Sequence, residues 1–305
     1  MFEFKELEYV ISVAKHQNIT KAAEELYISQ PSLSKYIKKL EMVLGVSLFN
    51  KVGNRFLLTY AGEMYLKNAQ NILLIKNKIT AEIDDIHKIN KGRFNISIPS
   101  TRGSYLIPET LPKFKEMYPN VEINLFENSS SEAEKLLLSG EVDIAIFNHH
   151  NEHPDLEYRV IGVEELILAV SPDNPLANMG EIKPNCKYEW IDIKLFKDEN
   201  FILNFPYQRT GKAAEKILKS ANFEPNVVLR TRSMECAVRL TLSNYGICFV
   251  SDNHLKYMNL ITKPKYFSIG YPTTSFELVV AYRKDSYLPR YIKDYIDIVK
   301  DFVNF

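Results

Sequence analysis

Two short helical segments meet at a very tight turn between residues 20 and 40, and this feature restricts the fold more than any other. Small and apolar residues recur at helical spacing in the first segment: Ala22, Ala23 and Leu26. Thr20 precedes them as the expected N-cap. Ser29 is expected to cap the second segment, where Pro31 occupies the first turn. Two short helices joined in this way form a helix-turn-helix.

The second segment, Gln30–Leu40, has one apolar and one polar face. Successive residues of an α-helix are about 100° apart, which brings Leu33, Ile37 and Leu40 together on the face that must be buried. The outer arc and its flanks carry Gln30, Pro31, Ser32, Ser34, Lys35, Lys38 and Lys39. Short polar groups near the start of such a helix can pair with base edges, and lysines can hold phosphates. An ordinary surface helix with solvated lysines is the alternative.

A predicted hairpin follows this motif. Two short apolar runs within residues 48–59 flank the turn pair Gly53-Asn54. Arg55 stands at the tip, where a guanidinium can enter the minor groove of DNA, although a solvated loop arginine is the alternative. The sequence thus predicts a winged helix-turn-helix. Its candidate DNA contacts are Thr20, Gln30, Pro31, Ser32, Ser34, Lys35, Lys38 and Arg55.

Charge is unevenly distributed, although the net charge of the 305-residue chain is zero. Residues 1–91 carry 13 Lys/Arg and 10 Asp/Glu, which leaves 25 and 28 for the rest of the chain. A positive amino-terminal part suits a segment that binds a polyanion.

No apolar stretch reaches the roughly 20 residues of a membrane helix, and no signal peptide pattern is present. We therefore expect a cytoplasmic protein without membrane contact.

The three cysteines do not have the spacing of a functional site. Cys186, Cys236 and Cys248 are odd in number and lack the C-x-x-C pattern of zinc sites. We expect them to be buried thiols, and we predict no metal and no other cofactor.

The amino-terminal third resembles the LysR-type transcriptional regulators. The resemblance is carried, in order, by Ala22-Ala23, Leu26, Ser29-Gln30-Pro31-Ser32-Leu33-Ser34, Ile37, Leu40-Glu41, Leu44-Gly45, Leu48-Phe49, Leu58-Thr59 and Ala61-Gly62. Lys35 and Lys51 depart from it, because arginine is usual at both positions; the charge is kept and the bidentate fork is lost. The resemblance implies a regulator that binds an inverted-repeat operator in double-stranded DNA, with RNA polymerase as a further candidate partner.

A long helix is predicted after the hairpin. Residues 62–89 contain no proline, and apolar residues repeat in a heptad pattern: Tyr65, Ile72, Ile79 and Ile86, with Ile75 and Ile89 at the companion positions. A helix of about 27 residues would span ~40 Å, which is too long for a small winged domain. A helix packed on its own domain is the alternative. The resemblance implies dimerisation through this segment, so we expect a homodimer or homotetramer.

Beyond Gly92 short strand-like runs alternate with helical segments, which predicts an α/β domain with mostly parallel sheets. The resemblance implies two lobes like those of periplasmic binding proteins, with crossovers that we place near Ile161–Glu165 and Lys265–Gly270. The predicted fold class is α+β multidomain: a helix-rich winged helix-turn-helix (1–61), a linker helix (62–91) and a two-lobed α/β effector domain (92–305). Lobe I is expected at about 92–162 and 268–305, and lobe II at about 163–267.

A small-molecule effector site is predicted at the carboxyl ends of strands, beside helix N-termini. The first such end reads Pro99-Ser100-Thr101-Arg102-Gly103, and its hydroxyls and guanidinium suit a carboxylate or another oxyanion. The candidate effector contacts are Ser100, Thr101, Arg102, Ser129, Asn148, Asn204 and Thr210. The resemblance implies this role for Ser100, Thr101, Ser129 and Asn204. Plain N-capping by the same side chains is an equal alternative.

Catalytic motifs are not found. Thr210-Gly211-Lys212 resembles the end of a P-loop, but Pro206 occupies the position of the required upstream glycine. The run His149-His150-Asn151-Glu152-His153 is a weak metal candidate on an expected loop. We therefore predict a regulator and not an enzyme. The alternative is a solute-binding or enzymatic α/β protein whose winged domain mediates protein contacts.

Overall fold

The computed structural model describes residues 4–86, 91–222, 224–284 and 286–304. The chain divides into two compact units. The first contains Met1–Gly92 with Ser139–Glu141 and Asp285–Pro289, and the second contains Arg93–Leu138, Val142–Lys284 and Arg290–Phe305. No helix in the described part of the chain has the length and apolar character that a membrane span needs.

The first unit is a winged helix-turn-helix followed by a long helix. Its elements are α1 (Phe4–His16), α2 (Ile19–Glu25), α3 (Gln30–Leu44), β1 (Phe49–Val52), β2 (Arg55–Leu58) and α4 (Tyr60–Ile86). Strands β1 and β2 form an antiparallel hairpin in which Val52 lies opposite Arg55. The predicted helix-turn-helix and hairpin are confirmed.

The two predicted caps have different outcomes. Ser29 caps α3 as expected, because its Oγ accepts the backbone N–H of Ser32 at 3.3 Å. The prediction that Thr20 caps α2 is wrong: Asn18 Oδ1 accepts the N–H groups of Thr20 and Lys21 at 2.9 and 3.1 Å. Asparagine and threonine are both good caps, and the extended backbone of Asn18 puts it at the boundary.

The apolar face of α3 lies in the core of this unit. Leu33, Ile37 and Leu40 are buried and pack with Val10 and Val13 of α1, as the helical spacing predicts. Helix α3 continues four residues past the predicted end and stops at Leu44, where Gly45 adopts a left-handed φ of +71°. This conformation suits glycine and ends the helix.

The long helix α4 differs from the predicted heptad seam at its start. Tyr65 is partly buried against the core of the winged domain, so its assignment to the seam is wrong. Further along, a row of apolar side chains is exposed: Ile72, Ile75, Ile79 and Ile83. Ile83 was not in the predicted pattern. The side chain of Ile86 and all of Ile89 lie outside the described residues.

The second unit is an α/β structure. Its strands are β3 (Lys91–Ile98), β4 (Asn120–Glu127), β5 (Ile144–Asn148), β6 (Leu156–Val170), β7 (Asn200–Leu203), β8 (Asn226–Arg230), β9 (Ile247–Ser251), β10 (Lys265–Ser268) and β11 (Ser275–Arg283). Its helices are α5 (Ser100–Met117), α6 (Ser130–Ser139), α7 (Arg209–Ser220), α8 (Met234–Leu242), α9 (Asp252–Tyr257) and α10 (Arg290–Asn304).

The strand order is β4-β3-β5-β11-β6-β9-β7-β8, with β10 also paired to β6. Strand β6 crosses from one half of this arrangement to the other. Its segment Leu156–Glu165 pairs with β11, and its segment Leu166–Val170 pairs with β9 and β10. One strand therefore belongs to both halves.

One prediction about the sheet is wrong, and another is correct only in part. The pairings are mixed and not mostly parallel: β3 with β5, and β7 with β8 and β9, are parallel, whereas β6 and β11 pair antiparallel with their neighbours. The second crossover was expected at Lys265–Gly270, but Lys265–Ser268 form β10. The chain therefore leaves this part of the sheet only after Ser268.

The cysteines are not all buried as predicted. Cys248 is buried, and burial raises the pKa of its thiol to about 12. Cys236 is exposed and Cys186 is partly exposed. A thiol with a pKa of about 12 is almost entirely protonated at neutral pH and is a poor nucleophile.

Candidate DNA-binding and effector-binding sites

The outer face of α3 is an open surface. It presents Gln30, Pro31, Ser34, Lys35, Lys38, Lys39 and Met42. Ser32 is less available than predicted, because its Oγ lies 2.7 Å from the Oγ of Ser29 within the cap. The structure therefore brings Gln30 and Ser34 together with the lysines on one surface.

This face has an excess of positive charge. Lys35, Lys38 and Lys39 are exposed, and none has an ion-pair partner among the residues that the structure describes. Unpaired lysines on one helical face are available to phosphates. Thr20, at the start of α2, and Arg55, the first residue of β2, are also exposed.

A charged cluster that the sequence did not reveal joins α1 to the end of α2. Glu25 accepts hydrogen bonds from Ser12 at 2.6 Å and Lys15 at 2.8 Å, and His16 Nε2 lies 3.0 Å away. Partial burial opposes the charge of Glu25, but these partners outweigh it and lower the carboxyl pKa to about 2. The cluster holds the helix-turn-helix against the first helix.

We expect Glu25→Gln to destabilise the first unit by about 1 kcal/mol at pH 7, a value that allows for solvent screening of a partly exposed carboxylate. The pKa of Glu25 falls from its ordinary 4.5 to about 2 on folding. Its contribution is therefore complete above pH 4.5 and is lost as the pH falls towards 2. Scanning calorimetry at pH 7 and pH 2.5 checks this, with Glu24→Gln as the control. If the stability difference between Glu25→Gln and the wild type is the same at both pH values, the prediction is wrong.

The centre of the predicted effector site is a buried ion pair. Arg102, on the first turn of α5, donates from Nη2 to Glu164 Oε1 at 2.9 Å and from Nη1 to Oε2 at 3.1 Å. Burial opposes both charges, but the attraction between them outweighs it, so the pKa of Arg102 is raised and that of Glu164 is lowered. The predicted anion-binding guanidinium therefore already has a carboxylate partner.

Further polar groups complete this cluster. Asn148 accepts from Arg102 Nη2 at 2.6 Å and donates to Glu164 at 2.6 Å, while Tyr105 accepts from Arg102 Nη1 at 2.8 Å. Arg209 donates to the backbone oxygen of Asn148 at 2.9 Å. The structure thus brings two predicted residues, Arg102 and Asn148, together. Sequence reasoning missed Glu164, although an acidic pair in the apolar run of β6 was a usable signal.

Asn204 and Thr210 form a second, separate pair. Thr210 Oγ1 donates to Asn204 Oδ1 at 2.9 Å, and Asn204 Nδ2 donates to the backbone oxygen of Thr231 at 2.9 Å. Both side chains are buried. Their hydrogen bonds hold the start of α7 against the end of β7, which favours a positioning role over direct contact with an effector.

The remaining predicted residues lie at helix starts. Ser129 Oγ accepts the N–H of Glu132 at 3.4 Å, as an N-cap does. Helix α5 begins at Ser100 after Pro99 and has no side-chain cap, so its first amides are available. Ser100 is exposed and Thr101 is partly exposed. An uncapped helix start of this kind suits an anion.

The histidine run does not form a metal cluster among the described residues. Each histidine lies near its own carboxylate: His149 at 3.4 Å from Glu277, His150 at 3.8 Å from Glu134, and His153 at 4.0 Å from Asp155. The three contacts are separate, which argues against shared coordination of a metal ion.

Two known sequence families match the chain. Residues 4–63 match the family described as bacterial regulatory helix-turn-helix protein, lysR family. Residues 87–304 match the family described as LysR substrate binding domain.

Curated relatives and solved structures agree with these matches. The HTH-type transcriptional regulator AlsR from Bacillus subtilis is 29% identical over 308 residues, covering 97% of this chain and 95% of its own. The uncharacterized HTH-type transcriptional regulator YybE from Bacillus subtilis is 27% identical and covers 94% of each chain.

A full-length OxyR variant from Pseudomonas aeruginosa has 22% identity and a TM-score of 0.73 over 98% of each chain. Full-length CbnR in complex with its target DNA has 21% identity and a TM-score of 0.53, covering 98% of this chain and 99% of its own. At such identities these two structures show the fold.

The relatives are regulators, which argues against the enzymatic alternative. The second family match alone covers more than half of the chain, and the first accounts for the helix-turn-helix. The chain therefore belongs to the LysR family of DNA-binding transcriptional regulators that carry an effector-binding domain.

Proposed function

We propose that the chain binds an inverted-repeat operator through α3, with Gln30 and Ser34 at base edges and Lys35 and Lys38 at phosphates. The unpaired lysines beside Gln30 on one exposed face of α3 carry this proposal. Glutamine pairs well with adenine in the major groove, and serine accepts or donates to several bases. The proposed contact surface also includes Thr20, Pro31, Ser32 and Arg55. The proposed place of action is the cytoplasm, where the DNA target lies.

The exposed isoleucine row of α4 supports a homodimer. Ile72, Ile75, Ile79 and Ile83 are between 42% and 59% exposed, and they recur at intervals of three and four residues. A second copy of the same helix would bury this row. A symmetric dimer presents two recognition helices to two half-sites, which explains the inverted repeat. The proposal also includes assembly into a homotetramer and contact with RNA polymerase.

The effector is proposed to bind at the open start of α5 and not at the guanidinium of Arg102. Glu164 already neutralises Arg102, so an added carboxylate would compete with a buried internal one. Ser100 and Thr101 with their free amides, and Ser129 at the start of α6, are the proposed contacts. Arg102 and Asn148 fix the start of α5. Asn204 and Thr210 fix the start of α7. A small anion is favoured because helix N-termini carry partial positive charge.

Two substitutions on α3 are expected to differ in kind. Gln30→Ala should cost about 1–3 kcal/mol on the preferred operator and relax specificity at one position. Lys38→Ala should weaken binding to all sequences, because it removes a phosphate contact. The slope of the logarithm of the binding constant against the logarithm of the salt concentration should become smaller in magnitude by about 1. Fluorescence anisotropy at several salt concentrations measures both effects. Lys113→Ala, on exposed α5 surface, is the control, and equal losses in all three variants would contradict the proposal.

Footprinting across a panel of small anionic metabolites tests the effector proposal. An effector should change the footprint of the wild type, and the Ser100→Ala/Thr101→Val variant should need a higher effector concentration for the same change, because it keeps the amides and loses the two hydroxyls. If the variant responds at the same effector concentration as the wild type, the hydroxyls of Ser100 and Thr101 do not contact the effector.

A further inference from the structure

A cavity of about 360 Å³ lies in the second unit where β6, α9 and the carboxyl-terminal end of α10 meet. Val163 and Ile167 of β6 and Val303 of α10 form apolar parts of its lining. Lysines, tyrosines and Asp252 form the polar parts. None of the proposed effector contacts lines this cavity, so it is a separate place on the molecule.

The negative charge in this lining is already neutralised. Asp252 is buried, and its Oδ2 accepts from Lys187 Nζ at 2.6 Å and from the hydroxyl of Tyr188 at 3.0 Å. Its Oδ1 accepts the backbone N–H groups of Glu165 and Asn253 at 3.0 and 2.7 Å. Asp252 therefore has four donors around it and no free capacity for a cationic ligand.

The positive charge is in excess. Lys256 and Lys263 line the cavity and are exposed, and neither has an ion-pair partner among the residues that the structure describes. Glu165, whose carboxyl pKa is raised by burial, does not line the cavity. A partly enclosed space with two uncompensated ammonium groups attracts anions.

Aromatic rings lie beside these ammonium groups. Tyr188 and Tyr266 both line the cavity and pack edge to face with their ring centroids 5.0 Å apart. With the aliphatic side chains of β6 and α10 they provide an apolar surface next to charge. A volume of about 360 Å³ lies within the range of pockets that hold small ligands.

We propose that this cavity binds a small organic anion with an apolar ring or chain, independently of the effector site at the start of α5. Lys256 and Lys263 hold its charged group, and Tyr266 and Val163 contact its body. The ligand would touch α9 and α10 together, two helices that the hydroxyl of Tyr257 already joins by donating to the backbone oxygen of Phe302 at 3.3 Å. Occupancy would therefore strengthen the junction of these helices.

Calorimetric titration of the full-length protein with phenylacetate and with phenyl phosphate tests this inference. At least one anion should bind saturably, and the Lys256→Gln/Lys263→Gln variant should weaken it at least tenfold. Lys265→Gln removes an exposed lysine from the neighbouring β10 that does not line the cavity, and it should change the affinity less than twofold. Comparison of the two anions distinguishes a carboxylate ligand from a phosphate ligand.

Three results would overturn the inference: no saturable binding of either anion, equal binding of the uncharged phenylacetamide, or unchanged affinity in the double lysine variant. The Ser100→Ala/Thr101→Val variant separates this cavity from the effector site. It should retain full affinity for the anion, and loss of binding in that variant alone would assign the anion to the start of α5 instead.

Discussion

Replacing Arg102 with methionine is expected to lower the free energy of unfolding of the second unit by about 3–5 kcal/mol. The side chains of Arg102 and Glu164 are only 8% and 3% exposed, so the substitution leaves a buried carboxylate without its cation. Trp190 is the single tryptophan of the chain and lies in the second unit. Urea unfolding followed by its fluorescence therefore measures this unit without the first one.

The double variant Arg102→Met/Glu164→Met is expected to recover a large part of this loss, because it removes both charges together. Recovery should be incomplete, since the side chain of Asn148 loses both of its hydrogen-bond partners, Arg102 and Glu164. Arg93→Met is the matched control: Arg93 lies 3.6 Å from Glu122, but both side chains are at least 60% exposed, so its cost should stay below about 1 kcal/mol. A double variant no more stable than Arg102→Met would refute the charge argument.

This ion pair also shows why the sheet was harder to predict than the helix-turn-helix. The helix-turn-helix is defined by neighbours in sequence, such as Ser29 and the spacing of Leu33 and Ile37. Strand β6 runs from Leu156 to Val170, but only its last part, Leu166–Val170, is an uninterrupted apolar run typical of a strand. The acidic residues Glu164 and Glu165 interrupt its apolar pattern, and their burial depends on partners far away in the chain.

Prediction of the candidate effector site from the sequence has the same limit. Residue type predicted which side chains lie near helix starts, and the structure places Ser100 and Ser129 there. Residue type could not predict that Arg102 is paired with a carboxylate 62 positions later, or that Asn204 and Thr210 satisfy each other. Whether a polar group is free for a ligand depends on tertiary contacts, and a single sequence does not contain them in readable form.

Gly62→Ala is expected to destabilise the first unit by about 2–3 kcal/mol, although alanine normally stabilises a helix interior by about 1 kcal/mol relative to glycine. A Cβ at this position would lie 2.1 Å from the carbonyl oxygen of Leu48 and 3.0 Å from Cδ2 of Leu58. The oxygen cannot move freely, because it accepts the N–H of Thr59 at 2.9 Å. Overlap with fixed backbone therefore outweighs the gain in propensity.

Hydrogen exchange measured by mass spectrometry on peptides covering residues 33–40 tests this prediction, because the buried face of α3 reports the opening of the first unit. Exchange should accelerate about 30-fold, which corresponds to about 2 kcal/mol. Asn77→Ala, at an exposed position of the same helix, is the control and should leave these peptides unchanged or slightly slower. Slower exchange in Gly62→Ala, as in Asn77→Ala, would contradict the prediction. Helix propensity would then decide the stability where α4 meets the hairpin, and the close approach of α4 to Leu48 would not hold the two together.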